Sequence, residues 1–592
     1  MELFCPKRLA ASDFETSECF DCKEAFGNGL FQNRFLILSA VAILLTTCHD
    51  DLVPIIASQD VDHWCKQPNN STLSFNSWKK DAIPVNADGR RSRCHVYESP
   101  DSRHLFRKNR TVVPCREWDY DSRDATASVV SSWNAVCQRR IPLLVATMAL
   151  QQAGSVLFLL LGGVVLDAFG RDRVRLRAAV TATVSTVLGC VVVHHHDFYA
   201  MAQYVLSGSA AVNAAAALLI SFEVLIHRYR PKHVIFASTP AIALAELWVL
   251  VVRHMRVSSG VKQAALLSPT FLVVVTAAFM GRPESPRWLI AKGRMKEAEA
   301  VILAAAEVNG FVPGAGAANL LDGIANRRCC GDGDYPTSSD GDPQRQSPLD
   351  VAASIRRRVL VMFAVHFSLA FAVHANIASR VARGDDGDSW WLPSILISTA
   401  SVLGNVVVHV AVTRISLDRA FVAASVVVGG IHFVASVFCD FETAADRGLL
   451  AFSSGVANMA IVVGACYVMQ GVPTAVRGVA LCWSLASGRV GALLACLTPL
   501  LCQSVRGHVA FALSAFFLIA SSVLAVLSLP SSPREVEREN SVGSSLRSSQ
   551  APSCQASYRD SVYSKTSWTA RRGRCNTLRR FHSVGSLHAS AV

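Results

Sequence analysis

Twelve runs of predominantly apolar residues, each near the about 20 residues that cross a bilayer core as a helix, follow one another along the chain. They lie at roughly 34–57, 141–166, 178–196, 199–226, 233–252 and 263–281. Past a polar stretch they resume at roughly 358–378, 391–412, 420–438, 448–469, 478–501 and 508–529. The pattern predicts an all-α membrane protein of twelve transmembrane helices in two six-helix halves. It divides the chain into an N-terminal segment (1–33), a first half (34–281) with a long loop at 58–140, a link (282–357), a second half (358–529) and a tail (530–592). The link opens with an expected short helix over 292–306 and runs into Gly- and Asp-rich sequence. The tail is rich in Ser and Arg and poor in large apolar residues, the composition of a disordered segment, and its basic residues suit anionic lipid headgroups.

Composition agrees with lipid as the solvent. Of 592 residues, 51% are hydrophobic and 17% charged, against about 25% charged in soluble proteins. The net charge of +13 does not point to nucleic acid, because the basic residues sit in short clusters between apolar runs. Arg171, Arg173, Arg175 and Arg177 follow the second run, Arg228, Arg230 and Lys232 the fourth, Arg414 and Arg419 the eighth, and Arg477 the tenth. The other side carries His194–His195–His196–Asp197 and Asp440–Phe441–Glu442. Arg253, Arg256 and Lys262 break the asymmetry between runs five and six. Positive loops favour the cytosol, so both termini are expected there, in a protein of the plasma membrane. The His triplet reads as a polar turn and not as a metal site.

The loop at 58–140 tests that orientation separately. It holds Cys65, Cys94, Cys115 and Cys137, an even set suited to disulfides in an oxidising compartment, with three pairings open. Sequons occur at Asn69, Asn70 and Asn109, all in this loop, and glycosylation requires the lumenal face. No cleavable signal peptide is expected, because the first apolar run starts near Arg34 and serves as its own insertion signal. Cys19 and Cys22 stand without a second ligand pair and read as cytosolic thiols. With no nucleotide-binding glycine loop, metal-ligand cluster or nucleophile elbow in the sequence, an enzyme is not expected, nor a metal, cofactor or nucleic-acid partner.

Specific motifs sharpen this outline. Arg282-Pro283-Glu284-Ser285-Pro286-Arg287-Trp288-Leu289-Ile290, followed by Gly293-Arg294 and Glu297-Ala298, resembles the PESPRWL…GR…EA element of the major facilitator superfamily. Gly163-Val164-Val165-Leu166-Asp167-Ala168-Phe169-Gly170-Arg171 resembles its G-x-x-x-D-R-x-G-R turn. Pro473-Thr474-Ala475-Val476-Arg477 looks like its P-T-x-x-R element. Asp62-His63-Trp64-Cys65, Trp118-Asp119-Tyr120-Asp121 and Trp133-Asn134-Ala135-Val136-Cys137 resemble the outer loop of the organic cation/anion/carnitine transporters and not that of sugar porters. The resemblance runs from Phe31 to Leu529, outside the link and tail. It implies the major facilitator fold and a secondary active or facilitative carrier of small organic ions working by alternating access. A sugar porter-like carrier or a non-transporting derivative of the fold is the alternative.

By that resemblance Asp167, Arg171, Glu223, Glu284, Arg287 and Arg477 are gating residues at the cytosolic helix ends. Exchangeable ion pairs of small net worth suit such a gate. The pattern departs at Ala168 and Tyr204, where Arg is usual, at Gln470, where an acid is usual, and at Leu529-Pro530-Ser531-Ser532, so the second-half gate carries less charge.

Ionisable residues within spans are functional candidates, because burying charge in lipid is costly. Arg489, in Ser487-Gly488-Arg489-Val490-Gly491, stands where the resemblance implies Arg for anion or carnitine carriers and Asp for cation carriers. A guanidinium there can hold a carboxylate through two parallel hydrogen bonds. Asp50, Asp51 and Glu246 supply the opposite charge, which together with Arg489 suits a zwitterion such as carnitine. Phe363, Phe367, Phe371 and His374 share one helix face, and aromatic faces can hold a quaternary ammonium. An organic anion or zwitterion is the favoured substrate, with an organic cation close behind.

Overall fold

The computed structural model describes residues 25–57, 61–68, 74–86, 89–98, 111–121, 128–226, 230–255, 257–279, 283–311, 348–383, 391–439, 443–501 and 508–528. Among these described residues, twelve helices are long and apolar enough to cross a membrane. The first six are α1 (Leu30–Ile56), α2 (Cys137–Phe169), α3 (Arg171–Val191), α4 (His196–Val224), α5 (Arg230–His254) and α6 (Ser259–Ala278). The second six are α7 (Arg356–Val381), α8 (Ser394–Arg414), α9 (Leu417–Phe438), α10 (Ala444–Gln470), α11 (Arg477–Leu500) and α12 (His508–Ser528).

Helix ends depart most from the expected runs where charge enters the helix. The third run, expected from 178, begins at Arg171. Gly170 takes φ 106, outside the ordinary range of L side chains, and lets α3 start directly after α2. Arg171 and Arg175, one turn apart, are then buried against acidic partners. An apolar window excludes such residues although the backbone continues through them. The helix ends at Val191, so the His triplet is the turn into α4, with His196 its first residue. The helix expected over 292–306 is present, and a second, short one precedes it. Pro286–Ala291 opens on Pro after a Ser285 cap that accepts the Trp288 amide at 3.3 Å. Met295–Val308 follows after Gly293, at φ 74.

The two halves repeat one packing device. A Cβ at Gly154 on α2 would meet the Tyr204 carbonyl on α4. Equivalently, a Cβ at Gly455 on α10 would meet the Ser401 carbonyl on α8, and one at Gly404 the Phe452 carbonyl. Lipid gives helices no hydrophobic reason to associate, so close backbone approach over small residues supplies dispersion contact instead.

The loop between α1 and α2 carries two short antiparallel ribbons. Strand β1 (His63–Cys65) pairs with β4 (Trp118–Tyr120), and β2 (His95–Tyr97) with β3 (Val112–Pro114). Disulfides join Cys65 to Cys115 and Cys94 to Cys137, which selects one of the three open pairings. Trp78 is buried beneath them and donates to the Cys65 carbonyl at 3.3 Å. The end of the loop is pinned to neighbouring helix turns: Trp133 Nε1 donates to Val193 O at 3.0 Å and the Val129 amide to Ser259 Oγ at 3.0 Å. Asn69, Asn70 and Asn109 lie outside the described residues, as do the tail and residues 312–347.

Candidate functional site

Charged and polar side chains join the two halves at three levels along the helices. At the end bearing the sequence motifs, Arg171 Nη2 on α3 lies 3.1 Å from both Asp167 Oδ1 on α2 and Glu223 Oε1 on α4. Glu223 Oε1 also takes Arg477 Nη1 on α11 at 3.4 Å, so one carboxylate bridges the halves. Arg171, Glu223 and Arg477 are at most 1% exposed. Arg171 Nη2 reaches across to the Thr474 carbonyl at 2.8 Å, and Arg477 is held by Val472 O and Thr474 Oγ1 at 3.1 and 3.0 Å. Asp167 accepts the Gly478 and Val479 amides at 3.1 and 2.8 Å. A first-half carboxylate thereby satisfies the free N–H groups at the start of a second-half helix, where the helix dipole also favours negative charge.

Glu284 and Arg287 stand behind this bridge. Glu284 Oε1 accepts the Arg171 amide at 2.9 Å and the Asp172 amide at 3.3 Å, tying the Pro286–Ala291 helix to the start of α3. Arg287 Nε donates to Glu223 O at 3.0 Å. The six expected gating residues therefore gather in one buried network. Two departures from the motif pattern, Ala168 and Gln470, are exposed outside it.

Midway along the bundle, Arg489 Nη1 on α11 donates to both oxygens of Asp50 on α1, at 2.9 and 2.8 Å, and to Gln152 Oε1 on α2 at 3.0 Å. Arg489 thus meets a protein carboxylate in this conformation, through one nitrogen. Its Nε and Nη2 make no hydrogen bond to the described residues. His374 is buried beside this pair on α7, with Nδ1 on its own helix's Ala370 carbonyl at 3.0 Å. His49, the neighbour of Asp50, is fully buried and bonded to Gln203 at 2.6 Å and Gln151 at 3.1 Å.

At the loop end a cavity opens between α1, α5, α7, α8 and α10. Its charged lining is Asp51, Glu246, Arg253, Arg380 and Arg447. Arg380 Nη2 lies 3.6 Å from Asp51 Oδ1, and Ser401 on α8 donates to Glu246 on α5 at 2.8 Å. Asp50 and Asp51, adjacent in sequence, thus point to different sites because successive helical residues are about 100° apart.

The aromatic stripe requires a correction. Phe371 is 2% exposed and packs with Ala375, Ala495 and Ala510. Phe367 stacks on Phe371 at 6.3 Å, and both meet Phe517 of α12 edge-on at 5.3 and 5.2 Å. Among the described residues these two rings pack against α12, as an i,i+4 apolar stripe commonly does.

Three arginines of the cavity escape a sequence reading of the site. Arg253, Arg380 and Arg447 each lie one or two residues outside an apolar run, whose limits are 252, 378 and 448, and so read as loop residues. The helices extend past those limits. A signal is present: Arg253 breaks the charge asymmetry by placing a cation on the side that should be poor in them. Gln152 and Ser401, neutral and inside apolar runs, leave no such signal.

No family model matches the chain. Solute carrier family 22 member 7 of Rattus norvegicus is 24% identical over 502 residues, covering 80% of this chain and 88% of that protein. Organic cation/carnitine transporter 2 of Mus musculus is 27% identical over 303 residues, 48% of this chain and 53% of that one.

The chain is similar to members of solute carrier family 22 at 24–27% identity.

Its fold is that of the major facilitator superfamily. The proton:xylose symporter XylE bound to 6-bromo-6-deoxy-D-glucose aligns with a TM-score of 0.55 at 13% identity, over 84% of this chain and 96% of that one. Its twelve apolar helices, its fold and its likeness to these carriers make the protein a multi-pass membrane transporter and not an enzyme. The three levels of cross-half contact are the places at which its halves adhere in this conformation.

Proposed function

We propose that the protein carries small organic anions or zwitterions by alternating access, with the loop-end cavity as the entrance and Arg489, midway along the bundle, as the group that binds them. The observation that carries this reading is the arginine excess at the cavity: Arg253, Arg380 and Arg447 against Asp51 and Glu246. A lining with a net positive charge between low-dielectric walls concentrates anionic ligands. The Nε–Nη2 edge of Arg489 then offers a substrate carboxylate two parallel donors, while Asp50 holds Nη1. For a zwitterion such as carnitine, Asp51 is the acid placed to meet the cationic group. The orientation that fits has the 58–140 loop outside the cell, with Asn69, Asn70 and Asn109 its glycosylation sites, and both termini in the cytosol of a plasma-membrane protein. Asp167, Arg171, Glu223, Glu284, Arg287 and Arg477 then form the cytosolic gate, closed here.

Uptake of labelled succinate, carnitine and tetraethylammonium into cells expressing the full chain tests the reading. Succinate or carnitine should enter, and Arg489→Ala should abolish that uptake at unchanged surface expression. Removing one partner of a desolvated pair costs about 2–5 kcal/mol, and Asp50 would be stranded. Arg489→Lys should recover only part, because an ammonium lacks the planar fork. Tetraethylammonium uptake undiminished by Arg489→Ala, without succinate or carnitine uptake, would instead make Asp50, Asp51 and Glu246 the substrate contacts of a cation carrier.

A further inference from the structure

We propose that Glu246 binds and releases a proton in each transport cycle, so that the carrier moves a proton together with its organic anion. The inference rests on the anion reading above and gives Glu246 a role other than direct substrate contact.

The two acids of the cavity are differently equipped. Asp51 has a guanidinium, Arg380, at 3.6 Å. Glu246 has a hydroxyl: Ser401 donates to its Oε1 at 2.8 Å from the opposite half. The charged or titratable groups facing it are Cys48 and Asp51 on α1, Arg253 on its own helix, Arg380 on α7 and Arg447 on α10. Helix α8 contributes only serines, Ser394, Ser398 and Ser401, and Ile397 to the lining.

Alternating access must close this end of the molecule. Closure brings α1 and α7 together beside the existing α5–α8 contact and shuts the cavity that the half-buried Glu246 now lines. Asp51 can enter the closed interface beside Arg380 as an ion pair. A carboxylate whose hydrogen-bond partner is a neutral hydroxyl is far costlier to enclose, and in such surroundings the acid takes up a proton. The proton comes from water on the loop side, forms an O–H bond on the carboxylate, and leaves to water on the motif side once the bundle has rocked.

The same geometry ties the proton to the substrate. Before an anion arrives, the cavity holds three arginines against two acids, and the guanidinium of Arg380 favours an ionised Glu246 while the neighbouring Asp51 opposes it. An anion bound among these arginines neutralises their field and adds repulsion to the carboxylate. Anion and proton therefore bind each more tightly in the presence of the other, and this coupling is reciprocal. Net transport should then be faster when the loop side is more acidic.

The test uses the full chain in proteoliposomes containing a pH-sensitive dye, with the membrane potential clamped and labelled succinate as the probe. Wild type should accumulate succinate down an imposed proton gradient and acidify the lumen at a fixed ratio of about one proton per succinate, since a single carboxylate carries it. Glu246→Gln should bring that ratio to zero whatever its absolute rate. If Glu246→Gln carries too little succinate for a ratio, Glu246→Asp should move the midpoint of the pH–rate profile. An unaltered ratio in Glu246→Gln, an unaltered profile in Glu246→Asp, or wild-type succinate uptake indifferent to the gradient would overturn the proposal. Absence of succinate counterflow, with tetraethylammonium counterflow intact, would overturn the anion reading itself and the coupling with it.

Discussion

Replacing Glu223 by Gln removes one negative charge from the buried motif-end bridge and leaves its shape unchanged. In this conformation Glu223 Oε1 serves two guanidiniums, Arg171 at 3.1 Å and Arg477 at 3.4 Å, and all three side chains are at most 1% exposed. Breaking a buried pair by removing one partner costs about 3–5 kcal/mol, because the other charge is left uncompensated. Arg171 keeps Asp167 at 3.1 Å and Arg477 keeps Thr474 and Val472, so the lower end, about 3 kcal/mol, applies. That penalty falls only on the conformation in which the motif ends meet. At 1.4 kcal/mol per decade it shifts the balance toward parted motif ends by about 100-fold. Cys482 on α11 is a built-in reporter. It is buried, and its Cβ lies 3.0 Å from where a Cβ on Gly163 of α2 would stand, so it becomes accessible when α2 and α11 separate. Alkylation of purified protein, read at the Cys482 peptide by mass spectrometry, should be faster in Glu223→Gln. Arg477→Ala should act in the same direction, and the double variant should fall short of the sum, since the two remove one interaction. Unchanged Cys482 alkylation in both single variants would refute the view that this bridge holds the halves together.

The loop offers an independent check: non-reduced peptides should show Cys65 joined to Cys115 and Cys94 to Cys137, and losing either bond should cost about 2–5 kcal/mol and lower surface delivery. Glycosidase should raise the mobility of the protein on a gel, less so for Asn109→Gln; protease access to the loop only from the cytosolic side would reverse the proposed orientation. Gly455→Ala should lower thermal stability by about 1–3 kcal/mol through overpacking against the Ser401 carbonyl. Gly430→Ala, with nothing within 4 Å of the added Cβ, should be neutral, and equal behaviour of the two would contradict the close α8–α10 contact.

The apolar runs locate all twelve membrane helices because lipid demands a length and a composition that few other structures share. What the runs do not convey is how the helix ends are used. Arg380 and Arg447 look like flanking charges, yet one extra turn of helix carries them into the cavity. Asp167 is legible as a gate charge through its motif, but its acceptance of the Gly478 and Val479 amides joins residues more than 300 positions apart, and no local pattern encodes that. The disulfide pairing is likewise a matter of three-dimensional proximity. Arg489 is legible as a costly charge within a span, whereas its partner is not: Asp50 and Asp51 are equivalent in sequence, and helix geometry alone sends one to Arg489 and the other to Arg380. Phe367 and Phe371 mislead because packing and ligand binding use the same i,i+4 spacing.

The departures from the motif pattern acquire a physical reading from these interactions. Where the motif pattern has further ions, this chain has Ala168 in the first half and Gln470 in the second, and both face outward. The second half adheres at the motif end through Arg477 and through the N–H groups that open α11. Backbone amides at a helix start persist through side-chain mutation, carry a fixed partial positive charge, and need no counter-ion when the halves part, because water replaces Asp167 there. A contact made this way leaves fewer stranded charges when the halves part than one made of side-chain pairs alone, and the cost of parting is correspondingly smaller. At the opposite end Asp51 and Arg380, at 3.6 Å with side chains 18% and 32% exposed, attract one another more strongly when that end closes, which offsets their loss of water. Adhesion given up at the motif end and adhesion formed at the loop end then offset one another, which is the condition for two conformations of similar energy that a bound substrate can bias.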